Sequence, residues 1–184
     1  MQIKKIFLTA DNFQRDCVKL ARMIYDDSTW QPDIVLALWR GGAQPGVILS
    51  EVYQYFKRPL QHTIIKCASY IGIKEQNPEV RFEGAEEILN GLGPNQKILI
   101  VDDVFDTGRT AEAMHQRLAH LDHRFAMVYW KPHASQVNLS PHYYVHECQD
   151  WIVFPHELHG LLEEEILQKD PALLPLLKPA TPTE

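Results

Sequence analysis

The stretch of residues 98–110 constrains the fold more than any other part of the sequence. Four apolar residues, 98–101, form a run that is typical of a buried strand in a parallel sheet. Asp102 and Asp103 follow at its carboxyl end, and after a short loop a helical pattern begins at Thr110. In α/β folds ligands bind beyond the carboxyl ends of the strands, so this unit predicts both a parallel sheet and the position of a site.

The loop between this strand and the helix contains residues that suit a phosphate group. A helix N-terminus and the backbone N–H groups before it attract an anion. Gly108 allows the backbone to approach a phosphate closely, and Thr107 and Thr110 can donate hydroxyl hydrogen bonds. The carboxylates of Asp102 and Asp103 can accept hydrogen bonds from ribose hydroxyls or hold Mg²⁺. The pattern predicts a sugar-phosphate site, and the simpler alternative is a buried strand followed by a capping residue.

Residues 98–110 resemble the phosphoribosyl-pyrophosphate (PRPP) motif of the type I phosphoribosyltransferases, from the apolar strand through Asp-Asp to Asp-Thr-Gly-x-Thr. The resemblance implies that Asp102 and Asp103 hold the ribose hydroxyls, directly or through Mg²⁺. It also implies that Asp106 accepts a proton or a hydrogen bond from N7 of a purine. The implied 5′-phosphate cradle comprises Asp106, Thr107, Gly108, Arg109 and Thr110.

Two further strand ends extend the resemblance to the purine phosphoribosyltransferases. Arg40, Gly41 and Gly42 follow a strand and resemble the pyrophosphate loop, with a cis peptide expected at Arg40-Gly41. Lys131 follows another strand and resembles the lysine that contacts the 6-oxo group of the base. A lysine donates to a carbonyl oxygen but finds no good acceptor in the amino group of adenine, so Lys131 favours oxopurines.

A segment near residue 151 resembles the part of these enzymes that holds the base. The resemblance implies that Trp151 stacks on the purine, that Ile152 offers backbone groups to the base edge, and that Glu157 lies near Mg²⁺ and pyrophosphate. His156 departs from the family, in which tryptophan is usual at this place, and leaves the neighbouring contacts open. The alternative for Trp151 is a tryptophan of the core.

Strands and helices alternate along the chain, which predicts an α/β fold with a parallel sheet. The resemblance implies a Rossmann-like phosphoribosyltransferase core with a small hood subdomain formed by the terminal segments. Residues 1–170 are expected to form one domain, followed by a Pro-rich tail at 171–184. Predicted strands cover residues 3–9, 34–39, 60–66, 98–103, 125–130 and 142–146. Predicted helices cover residues 11–25 with Asp11 as the cap, and about 45–56, 110–121 and 155–168.

Residues 67–96 do not follow this alternation. They contain four glycines and two prolines, and only residues 86–90 have a helical pattern. Long irregular segments in compact domains are usually functional lids or disordered. We expect a flexible lid at about residues 67–90, in which Ser69 and Tyr70 resemble the Ser-Tyr pair that closes over the transition state.

Composition excludes several classes of protein. No apolar run is long enough to cross a bilayer, and the N-terminus lacks a signal segment, so we expect no membrane partner and a cytoplasmic location. A formal net charge of −6 disfavours a nucleic-acid partner. Three cysteines without a CxxC pair argue against disulfides or a zinc knuckle. His142 and His146 lie four residues apart on a predicted strand, where chance spacing is favoured over a metal site.

The residues and the resemblance together predict an enzyme that joins hypoxanthine, guanine or xanthine to PRPP with the help of Mg²⁺. The products would be a purine nucleoside monophosphate and pyrophosphate, and the family implies a homodimer or homotetramer. The preferred base and the role of the tail stay open. One alternative is a non-catalytic PRPP- or nucleotide-sensing regulator on the same fold. Another is an enzyme for a pyrimidine acceptor, against which Lys131 and Trp151 argue.

Overall fold

The computed structural model describes residues 4–70 and 79–178. The chain divides into two compact units. The core unit comprises residues 14–149, and the terminal unit combines residues 1–13 with residues 150–184. No helix within the described residues is long and apolar enough to cross a membrane.

The first half of the chain contains β1 (Lys5–Phe7), α1 (Ala10–Asp26), β2 (Ile34–Trp39), α2 (Ala43–Tyr55), β3 (Gln61–Tyr70), β4 (Glu79–Glu83) and α3 (Ala85–Asn90). The second half contains β5 (Ile98–Phe105), α4 (Arg109–Leu118), β6 (His123–Trp130), a short 3₁₀ turn (Pro132–Ala134), β7 (Tyr143–Glu147), β8 (Trp151–Val153), α5 (Glu163–Lys169) and α6 (Leu173–Leu177).

The core unit is built on a six-stranded sheet with the strand order β4-β3-β2-β5-β6-β7. All neighbouring strands are parallel except β3 and β4, which pair antiparallel. The central strands β2 and β5 are buried over residues 34–38 and 98–101, which explains their uninterrupted apolar runs. Leu36, Ile100 and Phe125 of three neighbouring strands share one hydrophobic cluster with Met114 of α4.

The register of the parallel strands brings three loops to one edge of the sheet. Ala37 of β2 pairs with Val101 of β5, and Phe105 of β5 pairs with Trp130 of β6. The segments that follow β2, β5 and β6 therefore leave the sheet at the same edge. They contain Arg40, Asp106 and Lys131 respectively.

The terminal unit joins the two ends of the described chain. β1 and β8 form a parallel pair in which Ile6 lies opposite Ile152. The ring of Phe13 meets the ring of Phe154 edge-on at a centroid distance of 5.3 Å. Lys169 of α5 donates a hydrogen bond to the Phe154 carbonyl oxygen at 2.7 Å. These contacts give this unit a small packed interior of its own.

The predicted α/β class with a mostly parallel sheet is confirmed, and several element boundaries are corrected. β5 runs to Phe105, two residues past the predicted end at residue 103, so the acidic pair lies inside the strand and not at its last two positions. β4 was missed, although residues 79–83 alternate polar and apolar side chains. It lies at the edge of the sheet, where only part of a strand is buried. α6 lies within the predicted tail 171–184, of which residues 179–184 are outside the described part.

Two predicted helix starts are also wrong. Thr9, not Asp11, caps α1, because its Oγ1 accepts a hydrogen bond from the backbone N–H of Asn12 at 3.2 Å. The predicted helix at 155–168 begins only at Glu163. Gly160 adopts φ of 80°, a left-handed conformation that interrupts a helix.

Candidate active site

A cavity of about 230 Å³ opens at the carboxyl end of β5. It lies on the unit of strand, loop and helix that the sequence predicts as a sugar-phosphate site. Its walls come almost entirely from β5, the loop after it and the start of α4. The residues that line it are Asp102, Asp103, Val104, Phe105, Asp106, Thr107, Gly108, Thr110, Ala111 and Met127.

Gly108 shapes the loop at the entrance to α4. It adopts φ of 80°, where side chains other than glycine are strained, and it immediately precedes the first helical residue, Arg109. A Cβ at this position would also lie 2.7 Å from the Phe105 ring and would collide with Val137. Glycine therefore permits the turn that leaves the N-terminus of α4 beside the cavity, where its backbone N–H groups favour an anion.

The acidic pair concentrates negative charge at this strand end. Asp103 is 8% exposed. Burial and the neighbouring Asp103 carboxylate raise the pKa of Asp102 well above its usual range. The backbone N–H of Asp103 donates to the Asp102 Oδ1 at 3.0 Å, which offsets part of the charge. Hydroxyl donors or a cation bound here would stabilise both carboxylates in their charged form.

The loop after β2 lies directly against the acidic pair. A Cβ on Gly41 would lie 2.6 Å from Asp102 Oδ1 and would collide with the Asp103 carboxylate. A Cβ on Gly42 would meet the backbone of Leu38 at 2.7 Å. Both glycines are therefore required for close approach of the two loops. The cis peptide expected at Arg40-Gly41 lies instead one bond earlier, at Trp39-Arg40, where β2 ends and the turn begins.

Lys131 and Asp106 form a paired donor and acceptor beside the cavity. Lys131 Nζ donates to Asp106 Oδ2 at 2.8 Å. The Lys131 side chain is 10% exposed, whereas that of Asp106 is 41% exposed. The Lys131 backbone N–H donates to the Phe105 carbonyl oxygen at 2.9 Å, which continues the pairing of β5 and β6 past the strand ends. The site thus presents an ammonium group next to a solvent-accessible carboxylate.

Arg109 differs from the other residues of the predicted phosphate cradle. It does not line the cavity, and its Nε donates instead to Gln136 Oε1 at 3.0 Å. The sequence analysis missed Gln136, which has no recognisable signal in the sequence. It also missed Cys67 of β3, whose thiol is hydrogen-bonded to the side chain of Thr110 and has a pKa that burial raises.

Comparisons with known proteins agree with this geometry. Residues 5–161 match the family model described as phosphoribosyl transferase domain. This chain belongs to the phosphoribosyltransferase family. A xanthine-guanine phosphoribosyltransferase of Desulfotalea psychrophila is 32% identical over 174 residues, which are 92% of this chain and 97% of that protein. The predicted family is therefore confirmed.

Solved structures show the same phosphoribosyltransferase fold. A purine phosphoribosyltransferase from Pyrococcus horikoshii is 28% identical, with a TM-score of 0.68, over 86% of this chain and 98% of that one. A hypothetical protein from Neisseria gonorrhoeae with bound ppGpp has a TM-score of 0.73 over 94% of this chain and 98% of that one. The second is 20% identical and supports the fold alone.

Three residues of the terminal unit are also predicted to hold the base or the metal ion, namely Trp151, Ile152 and Glu157. Trp151 is 50% exposed, and Ile152 is 5% exposed. The Glu157 carboxylate accepts a hydrogen bond from the Phe154 backbone N–H at 2.9 Å. The His156 ring stacks on Phe154 at a centroid distance of 5.7 Å.

A second cavity, of about 340 Å³, lies within the terminal unit next to the half-exposed Trp151. The residues that line it are Lys5, Trp151, Val153, Glu157, His159, Gly160 and Leu161. Trp151 and Glu157 therefore share one cavity, whereas Ile152 is buried and does not line it. Their roles toward a purine and a metal ion stay predictions.

The predicted lid falls partly outside the described residues. Ser69 and Tyr70 end β3, where their backbones pair with Val80 and Glu79 of β4. Residues 71–78 lie outside the described part of the chain. The assignment of Ser69 and Tyr70 to a lid stays a prediction.

The histidines noted in the sequence have separate partners. His142 Nδ1 accepts a hydrogen bond from the Phe125 backbone N–H at 3.1 Å. His146 Nε2 lies 2.9 Å from Asp16 Oδ2. Among residues 4–70 and 79–178, no group of three or more histidine, cysteine, aspartate or glutamate side chains is arranged to hold a metal ion. Any metal at the acidic pair would take its remaining ligands from water or from a bound molecule.

Proposed function

We propose that this chain transfers the 5-phosphoribosyl group of PRPP to a 6-oxopurine, namely hypoxanthine, guanine or xanthine. The products are the nucleoside 5′-monophosphate and pyrophosphate, which makes the reaction a step of purine salvage. The observation that carries the proposal is the pair of Lys131 and Asp106, 2.8 Å apart at the cavity after β5.

This pair supports an oxopurine because it presents a donor beside an acceptor. The Lys131 ammonium can donate to the 6-oxo oxygen, and the Asp106 carboxylate can accept the proton at N7 on the same edge of the purine. Adenine would place an amino group, itself a donor, against the ammonium, and the hydrogen bond to the 6-oxo oxygen would be lost. We therefore expect the site to reject adenine.

In the proposed complex, PRPP occupies the cavity at the end of β5. Residues 106–110 hold the 5′-phosphate through backbone N–H groups and the hydroxyls of Thr107 and Thr110. Asp102 and Asp103 accept hydrogen bonds from the ribose hydroxyls. Their charge stabilises the positive charge that develops on the ribose as its C1′–O bond to pyrophosphate breaks and the bond to the purine nitrogen forms.

The loop after β2 is assigned to pyrophosphate. Arg40 supplies a cationic side chain, and the backbone of Gly41 and Gly42 can approach closely because neither residue has a Cβ. The loop touches the acidic pair, so pyrophosphate held here would leave from the carbon that Asp102 and Asp103 position. In the terminal unit, Trp151 is assigned to stacking on the base and Ile152 to its edge.

The acidic pair fits Mg²⁺. Burial and, after it, the neighbouring Asp103 carboxylate raise the pKa of Asp102, and a divalent cation bound here would favour the charged form of both groups. Mg²⁺ usually takes one or two carboxylates and completes its shell with substrate phosphates and water, so a third protein ligand is not required. Glu157 is a further acid that the family resemblance assigns to the ion. When bound, Mg²⁺ offsets charge on the departing pyrophosphate.

The test is a panel of bases incubated with the protein, PRPP and Mg²⁺ and followed by ultraviolet absorbance. We expect nucleotide from at least one of hypoxanthine, guanine and xanthine, and none from adenine or the pyrimidines. Binding of PRPP without turnover of any base would favour the sensing regulator. Turnover of adenine at a rate similar to that of the oxopurines would contradict the role of Lys131.

A further inference from the structure

We propose that Gln136 is a positioning residue that joins the phosphate loop, residues 106–110, to the segment of residues 131–137, which begins with Lys131. Through this connection, a phosphate bound in the loop strengthens binding of the base. The proposal rests on the function proposed above, because it assumes that the loop holds a phosphate and that Lys131 contacts a purine. Gln136 itself contacts neither ligand in this scheme.

Gln136 forms hydrogen bonds with the phosphate loop on both sides of Gly108. Its backbone N–H donates to the Thr107 carbonyl oxygen at 2.9 Å. Its Oε1 accepts from Arg109 Nε at 3.0 Å. Val137, the next residue, packs so closely on Gly108 that no Cβ would fit between them. Three consecutive loop residues are thereby held by two consecutive residues of the segment.

The other end of the same segment, Lys131, is held by hydrogen bonds to Phe105 and Asp106. The Lys131 backbone N–H donates to the Phe105 carbonyl oxygen at 2.9 Å, and its Nζ donates to Asp106 at 2.8 Å. The Ala134 N–H donates back to the Lys131 carbonyl oxygen at 3.0 Å and closes the 3₁₀ turn. Only four residues separate Lys131 from Gln136. A shift of the phosphate loop is therefore transmitted to Lys131 through a short chain with both ends fixed.

The position of Arg109 supports this role. Its side chain does not line the cavity, and its Nε is directed to Gln136. An arginine at the first position of a helix could serve a phosphate directly, but here its guanidinium holds the segment. The contribution of Arg109 to the phosphate is then its backbone N–H at the helix start. Because its donor is charged, this hydrogen bond is stronger than a neutral one, and together with the pair of Lys131 and Asp106 it links the two parts through side chains.

The experiment measures how much ribose 5-phosphate, which fills the cradle without reacting, tightens binding of hypoxanthine. The dissociation constant of hypoxanthine is determined by calorimetry with and without saturating ribose 5-phosphate and Mg²⁺. For the wild-type chain we expect a ratio of about tenfold, the scale of a typical coupling between sites. In Gln136→Met, which keeps the size of the side chain but has no oxygen acceptor, the ratio should fall to about one.

Three variants separate coupling from general damage. Gln136→Glu keeps an oxygen acceptor for Arg109. Its added charge weakens binding of ribose 5-phosphate to the same extent with and without the base. The ratio of the hypoxanthine dissociation constants should therefore stay near the wild-type value. Arg109→Met should lower the ratio as Gln136→Met does, and the double variant should show no further loss. Gln96→Met is the matched control, since Gln96 Oε1 also accepts a hydrogen bond, here from the backbone N–H of Gly93 at 2.7 Å, away from the cavity.

The outcomes are distinguishable. A wild-type ratio near one, or an unchanged ratio in Gln136→Met, would overturn the inference while leaving the proposed function intact. A lower melting temperature with an unchanged ratio would mean that Gln136 is only structural, which also overturns it. Failure of the wild-type chain to bind ribose 5-phosphate and hypoxanthine would instead count against the proposed function itself.

Discussion

Replacing Lys131 by methionine tests the assignment of the base site most directly. Methionine keeps most of the length of the side chain and removes the ammonium donor. We expect kcat/KM for hypoxanthine, guanine and xanthine to fall while the dissociation constant of PRPP changes less than about twofold. The reason is that Lys131 faces Asp106 at 2.8 Å and does not line the cavity assigned to the phosphate and ribose.

The size of the effect follows from the partners of Lys131. A hydrogen bond from a charged donor to the 6-oxo oxygen contributes about 1.5–3 kcal/mol, which corresponds to a fall of roughly 10–150-fold in kcat/KM. The loss of stability should be small. Asp106 is 41% exposed, so water can hydrate its carboxylate when the ammonium is absent.

The assay is steady-state kinetics with each base, together with direct titration of PRPP and a melting curve. Lys66→Met is a matched control, because Lys66 also pairs with a carboxylate, that of Glu83 at 2.6 Å, but on the surface. Unchanged kinetics with all three oxopurines in Lys131→Met would refute the reasoning. A parallel loss of PRPP affinity would move Lys131 into the phosphate or ribose site.

Three further predictions address other parts of the molecule. Asp106→Asn should lower kcat by about 10²–10⁴-fold with little change in PRPP affinity, and an equal loss of both would place Asp106 in the phosphate cradle. Gly41→Ala should weaken PRPP binding by roughly 5–150-fold, since overpacking costs about 1–3 kcal/mol, while Gly91→Ala, with φ of −80°, should bind PRPP normally. Hydrogen bonds from Thr29, Tyr143 and Arg124 lower the pKa of Asp27, so its stabilising effect is present near neutral pH and is lost as the pH falls below the ordinary carboxyl range. The difference in melting temperature between the wild type and Asp27→Asn should therefore hold from pH 7 to about pH 5 and narrow from there to about pH 3, and a constant difference over the whole range would exclude this carboxylate as the cause.

The centre of the fold could be predicted because its information is local. In β5 and the loop after it, one continuous stretch contains the buried strand, the acidic pair, Gly108 and the helix start. A buried parallel strand needs an uninterrupted apolar run, and a turn with positive φ needs glycine. Both requirements act on neighbouring residues, so the sequence pattern is sufficient to place them.

The missed strand β4 and the wrongly placed start of α1 depend instead on contacts that the local sequence pattern does not show. β4 has five residues with charged ends, and its two apolar residues, Val80 and Phe82, are covered by contact with other parts of the core unit. α1 starts where it does because Thr9 rather than Asp11 reaches the N–H of Asn12. Either residue type can cap a helix, so composition alone could not choose between them.

The difference between local pattern and tertiary context also applies to the residues of the candidate site. Asp102, Asp106 and Lys131 carry their chemistry in their own side chains. Asp102 lies in β5, and Asp106 and Lys131 directly follow β5 and β6, two strands that can be recognised in the sequence. Gln136 is different, because it matters only through the register of β5 against β6, which sets its backbone N–H opposite Thr107 and its side chain opposite Arg109. No local pattern encodes that register. Residues whose own side chains carry the proposed chemistry can thus be found from motifs, whereas residues that join one motif to another by hydrogen bonds need the three-dimensional structure.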